Sequence, residues 1–335
     1  MIWFEFAVCL AVIAFAGTKL ARYGDIIAEK TGLGRIWIGM VLIAFVTTIP
    51  ELVTSVSSVA LVHSPDLALG TLLGSCCFNL AILALLDILH PRTPALSVAS
   101  PRHAAAGGWG AMLIAIAAAG ILAGRRFPFL TLGWVGIPTI VIAMLYLAAM
   151  WWIFRHERGQ QSDTAQATFH QYDRFTLGTV GIRFTLAAAA VVAAGIWLSF
   201  IGDEIGTTTG WGSTFVGSTF LAITTSAPEL VVAITALRIG AIDLSVGDIL
   251  GANMLDMAMI LPVDLAQGRG FVLSSVSSGH LVVAAVAVTM TLLVMAGLRF
   301  QRRRKLFRVA TWYTPLLIGL YVFGSYALFH SGSGL

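Results

Sequence analysis

The sequence predicts an all-α membrane protein with ten transmembrane helices in two inverted five-helix repeats. Three observations predict this fold class: the composition, the number of long apolar runs, and matching segments in the two halves of the chain. Of the 335 residues, 58% are hydrophobic and 11% are charged, and the mean hydropathy is +0.90. Soluble domains carry about 25% charged residues, so the composition favours a polytopic membrane protein over any soluble class.

Ten apolar runs are long enough to cross a bilayer as helices, since a span needs about 20 apolar residues. They lie at roughly 2–21, 36–62, 67–89, 104–124, 130–154, 178–201, 212–238, 243–265, 276–298 and 309–330. The longest polar connection separates the first five runs from the last five. We therefore expect a first five-helix repeat at 1–154, a linker loop at 155–177 and a second five-helix repeat at 178–335.

The basic residues between the spans predict the orientation of the chain. When successive connections are assigned to alternate sides, one side collects fifteen Lys and Arg residues and the other collects three. The rich side holds Arg22, Lys30, Arg35, Arg92, Arg102, Arg155, Arg158, Arg174, Arg238, Arg299, Arg302, Arg303, Arg304, Lys305 and Arg308, and the poor side holds Arg125, Arg126 and Arg269. The positive-inside rule places the rich side in the cytoplasm.

This orientation puts both termini outside the cell and the 155–177 linker inside, in the plasma membrane or, in a bacterium, the inner membrane. Because each half has an odd number of spans, the second half is inverted relative to the first. The isoelectric point of about 9.2 reflects cationic loops between spans and does not indicate nucleic-acid binding.

Two segments recur almost unchanged 178 positions apart, TTIPELV at 47–53 and TSAPELV at 225–231. A second pair follows them, DLALGTLLGSCCFN at 66–79 and DLSVGDILGANMLD at 243–256. Each copy of the first pair places a glutamate inside an apolar run, where a carboxylate costs from about 3 to more than 10 kcal/mol. This cost, accepted at matching positions of both halves, predicts a buried cation site shared by the repeats, as in secondary transporters.

The helical period predicts which polar side chains of these segments face one another. Thr47 and Glu51 lie four residues apart on one helix face, as do Thr225 and Glu229. The next span of each half also has a polar face, and lipid cannot satisfy such groups, so all four faces should point inward. The polar heads expected to meet near the bilayer midplane are those of Glu51, Asn79, Glu229 and Asp256.

The prolines of the repeated segments predict a second kind of ligand. A proline inside a helix lacks an N–H and clashes with the carbonyl four residues earlier. Pro50 and Pro228 should therefore free the oxygens of about Val46 and Thr224. Carbonyl, hydroxyl and carboxylate oxygens are hard ligands, which suit Na⁺, Ca²⁺ and Mg²⁺ rather than copper or zinc.

These motifs make the sequence similar to the cation/Ca²⁺ exchanger superfamily, and within it to the sodium/calcium exchanger membrane region with two alpha repeats. The family pattern is roughly G-T-S-x-P-E followed by G-N-x-x-G-S-N-x-x-(N or D). The similarity covers both repeats and the ten-span plan. The Pro-Glu pairs at 50–51 and 228–229 resemble the sodium-coupled branch, whereas the proton-coupled branch typically has G-N-A-x-E.

The resemblance implies a site for transported ions and no prosthetic group. Ca²⁺ would be held by Glu51, Asn79, Glu229 and Asp256, with Na⁺ competing for overlapping positions. Family positions that help to coordinate sodium correspond here to Thr47, Thr48, Ser75, Thr225 and Ser226, and to the carbonyls near Ala44 and Ala222. The implied partners are Ca²⁺, Na⁺ and membrane lipid, with no nucleic acid and no protein partner.

The expected function is therefore Na⁺/Ca²⁺ exchange by alternating access, a secondary active antiport without enzyme chemistry. A proton-coupled or otherwise selective cation exchanger is the first alternative. It is kept open because Ala252 removes a hydroxyl expected at one sodium position and Asp248 replaces a usual Asn. A cation channel is the second alternative, although the matched, charged repeats argue against it. An intramembrane hydrolase is disfavoured because no Ser/His or metal-ligand pair lies within the predicted spans.

The remaining acidic residues have simpler interpretations. Asp248 lies about 12 Å along the helix from Asp256, and it either attracts cations to the inner vestibule or favours a helix N-terminus. Three carboxylates in one low-dielectric site repel each other, so we expect Asp256 to hold a proton in the sodium-loaded state. The acids expected to be structural are Asp66 and Asp243, as helix N-caps, and Asp87 and Asp264, at the interfaces.

Overall fold

The computed structural model describes residues 1–31, 44–90, 93–127, 130–158, 176–268, 270–300 and 310–332. The helices of the first half are α1 (Ile2–Thr31), α2 (Ile49–Ala60), α3 (Pro65–Leu89), α4 (Ala95–Val98), α5 (His103–Arg126) and α6 (Ile137–Arg158). The second half begins with α7 (Leu177–Thr209), α8 (Ser213–Val216), a π-helical turn (Gly217–Leu221), α9 (Ala222–Thr225) and α10 (Ala227–Arg238). It ends with α11 (Ile242–Ala258), α12 (Ile260–Gln267), α13 (Val272–Ser275), α14 (Gly279–Arg299) and α15 (Tyr313–Gly332).

These helices account for the ten predicted spans. In the described ranges, seven helical segments are long and apolar enough to cross a membrane, and the bent unit from α8 to α10 makes eight. The other two spans correspond to the 20-residue α15 and to α2, whose predicted beginning at 36–43 lies outside the described residues. Most of the predicted linker, 159–175, and the basic run at 301–309 also lie outside them.

Two features differ from the predicted boundaries. The first helix of each half is roughly two to three turns longer than predicted: α1 ends at Thr31, and α7, with 33 residues, ends at Thr209. A helix of that length is roughly 50 Å long, so it must tilt or extend beyond a hydrocarbon core of about 30 Å. In addition, strands β1 (Thr131–Leu132) and β2 (Val135–Gly136) form a small antiparallel ladder where the fifth span was expected to begin.

Acidic residues at the helix ends join the two halves in the same way twice. Asp66 Oδ1 accepts a hydrogen bond from the backbone N–H of Ser277 at 2.7 Å and lies 2.9 Å from Nε2 of His280. Its counterpart, Asp243, makes the equivalent contacts with Ser100 N (2.6 Å) and His103 Nε2 (3.0 Å). The predicted N-cap role is therefore wrong, because each aspartate binds the start of a helix in the other half instead of capping its own.

A second pair of acids repeats this pattern one helix further on. Asp87 accepts hydrogen bonds from the backbone N–H groups of Ala95 and Thr311, at 2.9 and 2.8 Å. Asp264 accepts them from Val272 and Gly136, at 2.6 and 2.8 Å. Both acids are fully buried and bind backbone N–H groups, which confirms their predicted structural role, and their interfacial position stays a prediction. The same contacts, made once by each half, show the inverted repeat and confirm the predicted fold class.

The helices divide into a compact block and a separate pair. One apolar cluster joins α3, α5, α11 and α14 with their neighbours, and it contains no residue of α1 or α7. Those two long helices pack against each other and contact the block through two small clusters of their own. Within the block, α3 approaches the π-helical turn closely, since a Cβ at Gly70 would lie 3.0 Å from the Cα of Gly217. The glycines thus let two backbones meet beside the polar segments.

Candidate functional site

Both glutamate-bearing helices begin at a break in the middle of a span. The residue before α2 is Thr48 (φ −85°, ψ 4°), and the residue before α10 is Ser226 (φ −85°, ψ 12°). The bend between residues 213–225 and α10 is 45°. A proline at the start of each helix explains the break, because it cannot donate to the preceding turn. Each glutamate therefore lies in a first helical turn, where the partial positive charge of the N-terminus stabilises a carboxylate.

Glu51 is buried and is held by hydroxyl groups of both halves. Its Oε1 accepts hydrogen bonds from Ser226 Oγ at 2.8 Å and from Ser75 Oγ at 3.4 Å. Ser75 Oγ also lies 3.5 Å from Thr225 Oγ1. In the described part of the chain, Glu51 Oε2 has no hydrogen-bond partner. The structure thus fixes this carboxylate through one oxygen and leaves the other available to a ligand.

Asn79 is oriented by an asparagine that the sequence reasoning missed. Its Nδ2 donates to Asn253 Oδ1 at 3.0 Å, and Asn253 Nδ2 donates in turn to the carbonyl of Cys76 at 3.2 Å. The Oδ1 of Asn79 has no partner among the described residues. Asn253 therefore directs the Asn79 oxygen toward the site. The sequence signal for this role of Asn253 is the G-A-N triplet at 251–253, which matches the G-S-N of the family pattern.

Asp256 lies on α11, whereas Asn79 lies on α3, and it is also buried. Its Oδ2 is 3.8 Å from the Sγ of Cys76, a weak donor, and its Oδ1 has no hydrogen-bond partner within the described ranges. The charge of Glu51 is close enough to repel that of Asp256. Asp256 and Asn79, which occupy equivalent positions of the two repeats, thus each have an oxygen without a hydrogen-bond partner among the described residues.

Glu229 differs from Glu51 in having no hydroxyl donor among the described residues. It is fully buried, and neither carboxylate oxygen has a hydrogen-bond partner among the described residues. The position equivalent to Ser75 is Ala252, which has no hydroxyl, and Thr48, equivalent to Ser226, donates instead to the carbonyl of Ala44 at 2.8 Å. A buried carboxylate in this situation is strongly disfavoured without a positive counter-charge.

Asp248 is a further buried acid. It is the seventh residue of α11 and does not lie at the helix N-terminus, so the N-terminal interpretation is wrong, whereas the attraction of cations stays a prediction. Both of its oxygens lack a hydrogen-bond partner in the described part of the chain. Its charge acts on Glu229, so it belongs to the same electrostatic environment.

The carbonyls predicted as sodium ligands are already engaged by hydroxyls. Ala44 O accepts from Thr47 Oγ1 at 3.1 Å and from Thr48 Oγ1 at 2.8 Å. Ala222 O accepts from Thr225 Oγ1 at 3.3 Å and from the backbone N–H of Ser226 at 3.0 Å. A hydroxyl that donates its hydrogen to a carbonyl keeps the lone pairs of its own oxygen, so Thr47, Thr48 and Thr225 can still offer that oxygen to a cation.

The candidate ligand atoms of this site belong to several kinds of chemical group. In the part of the chain that the structure describes, no three His, Cys, Asp or Glu side chains converge closely enough to hold a metal ion. The ion pairs found there are His–Asp contacts at the helix ends and do not involve the four buried acids. The arrangement can therefore hold a hard cation only by adding amide, hydroxyl and carbonyl oxygens to the carboxylates.

Comparisons with known proteins identify the family of the chain. The sequence profile described as "Sodium/calcium exchanger protein" matches residues 1–155 and 180–330. The chain belongs to the sodium/calcium exchanger family. This membership confirms the resemblance found in the motifs, and it makes the chain a transmembrane antiporter of cations.

Individual relatives of this exchanger are distant. The inner membrane protein YrbG of Escherichia coli (strain K12) is 26% identical over 260 residues, which cover 75% of each chain. A structure of the sodium-calcium exchanger NCX_Mj, soaked with 10 mM Na⁺ and 10 mM Sr²⁺, has a TM-score of 0.62 and 18% identity, covering 96% of this chain and 98% of that one. The structure of native YfkE has a TM-score of 0.63 and 18% identity, covering 97% and 91%. At these identities the two structures show the fold alone.

Proposed function

We propose that this exchanger moves Ca²⁺ out of the cell against entering Na⁺, by alternating access to a site near the bilayer midplane. The ions would bind to Glu51, Asn79, Glu229 and Asp256. The proposal depends most on the two glutamates, which come from opposite halves and lie at matching helix breaks. Together they present three buried oxygens without a partner in the described ranges. A site that needs positive charge can be filled by one divalent ion or by several monovalent ions, and this mutual exclusion produces exchange.

The proposed sodium ligands surround these four residues. They are the hydroxyls of Thr47, Thr48, Ser75, Thr225 and Ser226 and the carbonyls of Ala44 and Ala222. The contacts among these groups support the proposal, because each hydroxyl is already within reach of a carboxylate or a carbonyl. We propose no enzyme chemistry and no prosthetic group, and the ions and the surrounding lipid are the only partners.

Flux in proteoliposomes tests this function. Purified protein is reconstituted, and uptake of radiolabelled Ca²⁺ is followed with a Na⁺ gradient, with a pH gradient or with no gradient. We expect uptake to require Na⁺ on the opposite side. Uptake that no counter-ion gradient drives, accompanied by an ohmic current, would instead identify a channel.

A proton-coupled exchanger is the second candidate, and two observations favour it. Ala252 leaves Glu229 without the hydroxyl that its counterpart has, and four acids are buried together without ion pairs in the described part of the chain. Buried carboxylates in this situation can take up protons in place of Na⁺. Uptake of Ca²⁺ driven by the pH gradient and insensitive to Na⁺ would establish this candidate in place of the first.

We also propose that the repeats at 1–154 and 178–335 are joined by a cytoplasmic 155–177 linker and that both termini are outside. The Asp243–His103 and Asp66–His280 contacts support the proposal, because each joins two connections expected on the same side of the membrane. A cysteine introduced as Ser162→Cys should resist impermeant thiol reagents in intact cells, whereas Ser333→Cys should react. The opposite labelling pattern would reverse the orientation.

A further inference from the structure

The second half of the site contains a buried charge that the first half lacks. Asp248 has both oxygens buried and without a hydrogen-bond partner in the described ranges. The equivalent residue of the first half is Thr71, which is neutral and donates its hydroxyl to the carbonyl of Leu67 at 2.8 Å. No hydrogen-bond partner in the described ranges explains the burial of Asp248, whereas a bound cation would.

The register of one helix hairpin places Asp248 level with Glu229. α10 and α11 run in opposite directions, and Ser245 Oγ donates to the carbonyl of Ala233 at 3.0 Å between them. Glu229 lies four residues before Ala233, and Asp248 lies three residues after Ser245. At 1.5 Å per residue these offsets are about 6 and 4.5 Å in the same direction. Glu229 shares a helix face with Ala233, and Asp248 shares one with Ser245. The two acids therefore lie opposite each other across the hairpin, at nearly the same depth.

A cation between these two acids would relieve the repulsion between them. The charge of Asp248 acts directly on Glu229, and neither acid forms an ion pair with a basic side chain in the described part of the chain. Two unpaired carboxylates buried side by side are very costly unless a positive charge lies near them. Their four oxygens have no hydrogen-bond partner among the described residues, and such hard ligands suit an alkali or alkaline-earth cation.

We propose that Asp248 and Glu229 form an additional cation position, which takes one Na⁺ beyond those held by Glu51, Asn79, Glu229 and Asp256 alone. This inference rests on the proposed Na⁺/Ca²⁺ exchange and deepens it. A single extra carboxylate calls for a single extra positive charge, which is why the added ion is monovalent. The position would bind in the sodium-loaded state and would be dispensable when Ca²⁺ is bound.

The experiment counts bound ions in purified protein. Equilibrium binding of radiolabelled Na⁺ and Ca²⁺ is measured for wild type, for Asp248→Asn and for Asp248→Thr, which introduces the residue of the first half. Asp203→Asn, which changes an acid near the end of α7, is the matched control. We expect both Asp248 variants to bind one Na⁺ fewer per chain, with Ca²⁺ affinity changed by less than about threefold, and the control to match wild type.

The outcomes separate this inference from the proposed function. An unchanged Na⁺ count in either folded variant would overturn the additional position, and so would an equal loss of Na⁺ and Ca²⁺ binding. A wild-type protein that binds neither ion would overturn the proposed exchange itself. Using two variants keeps the test decisive if one of them does not fold.

Discussion

The two halves of the candidate site have the same backbone but different chemistry. Both spans break at residues with nearly the same dihedral angles and place a glutamate in the first turn after the break. In the first half Glu51 receives hydrogen bonds from Ser226 and Ser75. In the second half Glu229 receives none from side chains in the described part of the chain, and it is repelled by Glu51, Asp248 and Asp256.

This difference shows where the requirement for a cation lies. A buried carboxylate that accepts hydrogen bonds depends less on a bound ion, whereas an unpartnered one depends on external positive charge. Duplication of a five-helix unit supplies the matched breaks. The repeats differ at single positions, such as Ser75 against Ala252 and Thr71 against Asp248, and the acids are more numerous in the second half.

The largest expected effect comes from neutralising either glutamate. Removing one charge from a buried charged site costs about 3–5 kcal/mol, which corresponds to a loss of at least about 100-fold. We therefore expect Glu51→Gln and Glu229→Gln each to abolish Na⁺-driven Ca²⁺ uptake in proteoliposomes while Asp203→Asn retains it. Near-normal transport by either glutamine variant would show that the two halves do not form one site.

Asp256→Asn should change selectivity rather than abolish transport. The first half has an amide at the equivalent position, Asn79, so the variant makes the two halves alike there. We expect residual exchange with a shifted balance between Na⁺ and Ca²⁺ and, since one protonatable group is lost, a flatter dependence on pH between about 6 and 8. If selectivity and pH profile both matched wild type, Asp256 would be a structural residue.

Exchanging the hydroxyls at the equivalent positions 75 and 252 should produce a smaller effect. Ala252→Ser gives Glu229 a hydroxyl donor like the one that Ser75 gives Glu51. Ser75→Ala removes that donor from Glu51. One hydrogen bond contributes about 0.5–1.5 kcal/mol, so the apparent Na⁺ affinity should change by about 2- to 10-fold in each variant. The measurement is the Na⁺ dependence of Ca²⁺ uptake, and identical curves for all three proteins would exclude a role for these hydroxyls.

The smallest expected effect is a difference in thermal stability between the glutamine variants in ion-free buffer. Glu229→Gln removes a carboxylate without donors, whereas Glu51→Gln removes one that accepts two hydrogen bonds. The Glu229 variant should therefore melt at the higher temperature, by about 2–4 °C for each kcal/mol of difference. A reversed order would contradict the assignment of the unpartnered charge to the second half.

The sequence predicts most of the fold because apolar length, loop charge and internal repetition all report on it directly. It also predicts the glutamates and prolines, whose cost in an apolar run marks them in both copies. It does not reveal the roles of Asp66, Asn253 or Asp248. Each of these depends on which helix of the other half, or which residue across a hairpin, lies opposite it, and spacing along one helix does not contain that information.

The measurement that tests the account most directly is the position of a bound ion. A crystal of the protein soaked in Ca²⁺ should give anomalous difference density between the two halves. The ligand oxygens of Glu51, Asn79, Glu229 and Asp256 should lie at about 2.3–2.6 Å from the ion. Density bounded by residues of only one half, or no density at these residues while the crystal binds Ca²⁺ elsewhere, would contradict a transport site shared by the two repeats.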